Sequence, residues 1–263
     1  MRRFRPLSGT ARRSYLVVAA PRTGTTLLCE LLRWDRVFGR PEEYFEPQHI
    51  ANYSRRWGVP DPNRPGSPTP PYLEEMLRAG TTRNGVFGAK LLTEQVDGAL
   101  QLFGIDPTAP LARARLAEVL PALRLVHLRR SDKVAAAVSL WRAKASGQWL
   151  RRHWQATAEV GPDLDLGFVT VNHARHHESE KAWDEVLAAG VPGLTLEFED
   201  LVRDPEPAVD AVADLLGVRW VPKLHRGTRL LLPHSQSDGS TSALIRAWVD
   251  HTGGCDECGH PGT

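Results

Sequence analysis

Cysteine is scarce. Three occur in 263 residues (Cys29, Cys255, Cys258), too few for a disulfide framework, and the chain reads as cytoplasmic. No stretch approaches the roughly 20 apolar residues of a membrane span. The apolar run "YLVVAA" is shorter than the core of a secretory signal and leads straight into a turn, so no such signal is expected. Charge of one sign is also lacking: the net formal charge is +2, which argues against a general nucleic-acid binder. There is no internal repeat. Local charge is uneven, because Arg2, Arg3, Arg5, Arg12 and Arg13 crowd the start without an acid, and residues 1–13 read as a disordered basic arm.

With 41% hydrophobic and 24% charged residues, the remainder is ordinary globular chain. One domain is expected over 14–250, followed by a flexible tail at 251–263. Strands are predicted at Tyr15 to Ala20, Gly85 to Leu92, Leu123 to Arg130 and Leu194 to Leu201. Helices are predicted from Gly24 to Arg33, Tyr72 to Ala79, Ser131 to Lys144 and Phe168 to Ala189, and through "PEPAVDAVADLLGV". Trp141 and Trp183 fall on positions that read as buried. Strands alternating with helices predict the α/β class: a P-loop-type parallel sheet with helices on both faces. Ligands then gather at the carboxyl ends of the strands.

At the first such end stands "YLVVAAPRTGTTLLCELL". A strand, a turn of small residues and a helix N-terminus present free N–H groups to an anion. Arg22, Thr23, Gly24, Thr25 and Thr26 are the candidate contacts, the threonines as hydroxyl donors and Arg22 as a bidentate cation. A magnesium-dependent P-loop kinase needs a lysine where this loop has Thr25. It also needs an aspartate after a second strand, whereas "LRLVHLRR" ends in Arg129 and Arg130. Arginines hold an anion, not a metal. A ligand with two separated phosphate-type groups is expected, and no metal is assigned.

The loop "PRTGTTLL", "GRPEEYF", "NGVFGAKL" and the helix with Arg130, Ser139 and "WRA" resemble, in order, the bacterial trehalose 2-sulfotransferase family. With "LTLEFEDLVRDPEPAVDAVADLLGV" these blocks cover most of 14–220. The resemblance implies the sulfotransferase fold and an O-sulfotransferase that uses 3′-phosphoadenosine 5′-phosphosulfate, or PAPS. It implies that the loop takes the 5′-phosphosulfate and that Arg130 and Ser139 take the 3′-phosphate. It also implies a general base at Glu43, with Glu42 as the fallback, and a homodimer around a sugar site.

In the residues themselves, the leaving phosphate oxygen calls for donors, and Arg22 is a candidate catalytic cation there. Lys90 is another, the alternative being an ordinary surface lysine. Tyr44 and Phe45 beside Glu43 suggest a raised pKa, which suits a base. The alternative is that Glu43 pairs with a nearby arginine. His49 is a rival base. His173, His176 and His177 share one helix at metal-binding spacing, but a polar helix face is the expected reading, since no acidic or cysteine partner is evident. Cys255, Cys258 and His260 in "CDECGH" supply three potential zinc ligands, yet two free thiols in the flexible tail is the preferred reading.

Arg226 and Arg229 are further candidate phosphate contacts. The acceptor is expected to be a small hydroxylated metabolite, a carbohydrate or natural product, with Trp34, Trp57, Trp149 and Trp154 best placed to meet it. Two other functions stay open: a P-loop small-molecule kinase, and a non-catalytic nucleotide-binding protein.

Overall fold

The computed structural model describes residues 11–147, 149, 164–221 and 239–261. Arg226, Arg229 and Trp154 lie outside them. Four strands, β1 (Arg13–Ala19), β2 (Val86–Leu92), β3 (Leu123–Arg129) and β4 (Gly193–Glu197), form one parallel sheet in the order β2-β1-β3-β4. Strand β1 is central and pairs with both β2 and β3. Its side chains alternate between two cores, as a strand's period of two requires. Leu16 and Val18 enter one cluster; Tyr15, Val17 and Ala19 enter the other.

Helices cover both faces. On the Leu16 side lie α2 (Pro47–Trp57), α3 (Pro70–Gly80), α4 (Val96–Leu102), the single turn α5 (Leu116–Val119) and part of α7 (Leu166–Ala188), including fully buried Trp183. On the Tyr15 side lie α1 (Thr25–Trp34), α8 (Phe198–Arg203) and α9 (Pro205–Leu216). A third, smaller core joins α6 (Lys133–Ser146), the N-terminal half of α7 and α10 (Gly239–Thr252) through Val134, Val138, Val169 and Trp248. Backbone crowding fixes Gly88 in β2, where an added Cβ would come within 2.7 Å of the Tyr15 ring.

Several expectations change. The last strand stops at Glu197, and Phe198 starts a helix instead of continuing to Leu201. Glu199 and Asp200 in its first turn suit the positive end of the helix dipole, and Asp200 pairs with Arg203 one turn on. Helices α2 and α4 occupy stretches where no element was expected. Trp141 is half-buried rather than buried. The tail read as flexible from residue 251 carries a two-residue hairpin, β5 (Gly254–Cys255) with β6 (His260–Pro261), and buries Cys258.

Candidate active site

The site grows from the turn after β1. Arg22 and Gly24 both take left-handed backbone angles, with φ 67° and 86°, and Thr23 between them does not. Alternation of this kind turns successive N–H groups to one side, which makes an anion-binding concavity. Helix α1 follows directly, and among the described residues no side chain caps its N-terminus. Its first N–H groups are therefore free for an anion. Thr23 turns inward, donating its hydroxyl to Ala20 O at 2.8 Å, so it closes the loop instead of offering that proton to a ligand.

Gly24 is required twice over. A Cβ there would sit 2.4 Å from the Phe198 ring, at a φ that costs an L-residue about 1–2 kcal/mol. Gly24→Ala is expected to lower the melting temperature by several degrees and weaken anion binding. A thermal melt of the variant matching the parent would show that the turn is not held by Phe198.

At one end of the loop three residues meet. Lys90 arrives on β2, and its Nζ lies 2.6 Å from Glu43 Oε1 and 3.1 Å from Thr26 Oγ1. The Lys90 side chain is only 7% exposed, so its charge needs both partners. Glu43 is delivered by a loop that lies along the free edge of β2, where Lys90 N donates to Glu42 O at 2.9 Å. Gln95 Nε2 holds the far oxygen, Glu43 Oε2, at 3.4 Å and bridges to Glu46 Oε2 at 3.1 Å.

The expected rise in the Glu43 pKa is not found. Burial pushes it up, but the Lys90 charge and hydrogen bond, with His49 and Gln95 adding to them, bring it below its ordinary value. Its partner is Lys90, not an arginine. Glu42 faces elsewhere: it accepts from Tyr53 OH at 2.9 Å and pairs with Arg33 at 3.3 Å. His49 is exposed on α2, edge-on to Tyr53.

At the other end stand two arginines. Arg22 Nε donates to Ser139 Oγ at 3.0 Å, and Arg22 Nη1 donates to Trp149 O at 3.0 Å. Arg130 Nη1 donates to Arg22 O at 3.0 Å, while its guanidinium lies 4.7 Å over the Phe198 ring. Arg130 Nε is buried without a partner among the described residues. Arg130 and Ser139 therefore both converge on Arg22, although they do not bond each other. Burial, and next the Arg130 charge, push the Arg22 guanidinium down from its ordinary value. Two cations held together in this way favour an anion between them.

Sequence reasoning missed two members. Gln95 carries no local signal, and Phe198 was hidden in a stretch read as strand. Among the tryptophans considered for an acceptor, Trp34 and Trp149 are exposed, and Trp57 stacks on Tyr53 with ring centroids 4.7 Å apart.

A parallel α/β sheet whose first strand opens onto a lysine-free turn, with a carboxylate and two arginines around it, is the architecture of a group-transfer enzyme. The family model described as Stf0 sulphotransferase matches residues 14–250. The chain belongs to the Stf0 sulphotransferase family and is a sulfotransferase. It is 32% identical over 232 residues to the trehalose 2-sulfotransferase of Mycobacterium tuberculosis (strain ATCC 35801 / TMC 107 / Erdman), covering 79% of this chain and 85% of that protein. It is 29% identical over 242 residues to the trehalose 2-sulfotransferase of Mycolicibacterium smegmatis, covering 80% and 87%. Among solved structures, the sulfotransferase domain from the curacin biosynthetic pathway aligns over 88% of this chain and 80% of its own, at TM-score 0.48 and 15% identity. No helix among the described residues is long and apolar enough to cross a membrane.

Proposed function

We propose that this sulfotransferase moves a sulfuryl group from PAPS to a hydroxyl of a small metabolite, a carbohydrate in the first instance. The observation that carries the reading is the two-ended loop. Lys90, Thr26 and Glu43 stand at one end, and Arg22, Arg130 and Ser139 at the other. A donor with two separated anionic groups fits that spacing of cations. Arg130 Nε and the start of α1, which have no partner and no cap among the described residues, are the donors such a ligand would satisfy. The names of the two mycobacterial relatives support a sugar acceptor, with trehalose the first to try.

Bound in the loop, the donor supplies the group to be transferred and a stable phosphate leaving group. The chain supplies position, charge and a proton acceptor. Loop N–H groups and Thr26 neutralise charge at the leaving oxygen. Lys90 is the cation that links the loop to the base, because it bridges Thr26 and Glu43. As it turns toward an incoming anion it releases Glu43, whose pKa then climbs, because burial is opposed only by the smaller contributions of His49 and Gln95. Glu43 is ionised before binding and a stronger base after it, which is the order in which it is needed to take the acceptor hydroxyl's proton.

A thermal-shift series with 3′-phosphoadenosine 5′-phosphate, AMP, ADP and ATP with Mg²⁺ tests the donor assignment. The bisphosphate is expected to stabilise most, followed by sulfuryl transfer from PAPS to trehalose or a related sugar. Equal or greater stabilisation by ATP with Mg²⁺ would hand the loop to a kinase instead.

A further inference from the structure

The three histidines of α7 and the two C-terminal cysteines were read separately in the sequence, and each group lacked partners. The fold brings them together. His173 and His177 are one turn apart on α7, with their Nε2 atoms 3.4 Å from each other. The β5–β6 hairpin carries Cys255 and Cys258 against them. Cys258 Sγ lies 3.2 Å from His173 Nε2 and 3.9 Å from His177 Nε2, and Cys255 Sγ lies 2.8 Å from Cys258 Sγ. All four ligand atoms fall within 4.8 Å of one another. We infer that His173, His177, Cys255 and Cys258 form a closed, structural zinc site that fastens the C-terminal hairpin to α7.

The geometry suits that ion. Bond lengths of roughly 2.3 Å to sulfur and 2.0–2.1 Å to nitrogen give a tetrahedron with edges of about 3.3 Å between nitrogens, 3.6 Å between nitrogen and sulfur, and 3.8 Å between sulfurs. The nitrogen–nitrogen edge is already in place, and of the four nitrogen–sulfur edges the two that end on Cys258 straddle their value. Cys255 makes the adjustment: a rotation of its half-buried side chain moves its sulfur about 1 Å away from Cys258 Sγ and brings it toward the two imidazole nitrogens, which lie within 4.8 Å. Two thiolates with two imidazoles are the donor set of zinc among common cellular metals. The spacings, C-x₂-C and H-x₃-H, are those of such sites, here with the histidine pair first in the chain.

The surroundings match a structural site. Trp248 is buried beside His173, with ring centroids 5.1 Å apart, and Val134, Val138 and Val169 complete the shell. Glu257 Oε2 lies 3.7 Å from His177 Nδ1, the position from which a carboxylate orients a ligating ring. Four protein ligands leave no open position for water or substrate, so the ion would hold structure and take no part in transfer. His176, the third histidine, is buried and is not one of the four.

What the ion would hold is specific. Two residues past Cys258, His260 Nε2 lies 3.0 Å from Asp132 Oδ1. The same Asp132 oxygen caps α6 by accepting from Ala135 N at 2.8 Å. The hairpin thus braces the N-terminus of the helix that follows Arg130 and carries Ser139.

The test uses the full chain, purified with reductant from zinc-supplemented medium, with metal measured by mass spectrometry. One zinc per chain is expected, and Cys255→Ser/Cys258→Ser and His173→Ala/His177→Ala should each reduce it to background. Cobalt exchanged into the parent protein should give the visible bands of a tetrahedral site with thiolate charge transfer. The parent also covers the case in which a variant fails to fold: zinc should protect both thiols from alkylation, and a chelator should expose them. Absence of zinc or cobalt uptake by the reduced parent would overturn the inference, as would undiminished zinc in the variants. A Cys255–Cys258 disulfide whose reduction creates no metal binding would overturn it equally.

Discussion

Glu43→Gln is expected to lower kcat by roughly 10²–10⁴-fold, the range for loss of a positioned general base. The substitution keeps shape and leaves an oxygen for Gln95 to bind, so the loss falls on proton transfer. Affinity for 3′-phosphoadenosine 5′-phosphate should hold or rise, because a negative charge leaves the neighbourhood of a polyanion. Lys90, buried and deprived of its countercharge, destabilises the ligand-free variant. The bisphosphate restores a partner, so its thermal shift should be larger in the variant than in the parent. Undiminished turnover would sink the base assignment outright.

The same pair predicts the acid side of the pH profile. The folded-state pKa of Glu43 is depressed, chiefly by Lys90 acting against burial. The pair's contribution to stability is therefore present in full above the ordinary glutamate pKa, and is lost as pH falls through the depressed value. The acid limb of kcat/KM, which reports the free enzyme, should lie below the ordinary glutamate range. That of kcat should lie higher, because donor binding takes Lys90 from Glu43. Coincident limbs would mean that Lys90 keeps its partner throughout.

Arg130→Ala is the second large effect. Each hydrogen bond to a charged group contributes about 1.5–3 kcal/mol, or roughly ten- to a hundredfold in affinity. The substitution would remove the proposed contacts to the 3′-phosphate together with the hydrogen bond to Arg22 O, which shapes the loop. Binding of 3′-phosphoadenosine 5′-phosphate should weaken by about a hundredfold, and binding of AMP by much less. Arg130→Lys should recover only part, because an ammonium lacks the planar fork. Equal losses for both nucleotides would assign Arg130 to the loop alone and move the 3′-phosphate elsewhere.

What the sequence disclosed depended on how far each feature reaches along the chain. The strand, turn and helix around "PRTGTT" lie within about two dozen residues, Arg13 to Trp34, and their bounds were legible to within two residues. Helix α2 was not, because Pro47 opens it inside a loop-like proline cluster and few of its residues are apolar. The run "LTLEFEDL" alternates like a strand past the point where acidic residues turn it into helix α8. Glu43 looked like a carboxylate among aromatics. Its pKa is set by Lys90 on another strand, and no local pattern could supply that sign. The joining of His173 and His177 to Cys255 and Cys258 is longer-ranged still. Read apart, each pair lacked the other's ligands.

The strand order has a consequence for the birth of the protein. Strand β1 holds the centre of the sheet, but its two neighbours, β2 and β3, come roughly seventy and more than a hundred residues later. As the chain leaves the ribosome, "YLVVAA" emerges with no partner on either side. At about 5–20 residues per second it waits several seconds for the second neighbour. Parallel pairings this distant are slow to close, and an unpaired apolar strand is the segment most exposed to wrong associations meanwhile. The position that later gives β1 a partner on each side makes it a vulnerable strand during synthesis.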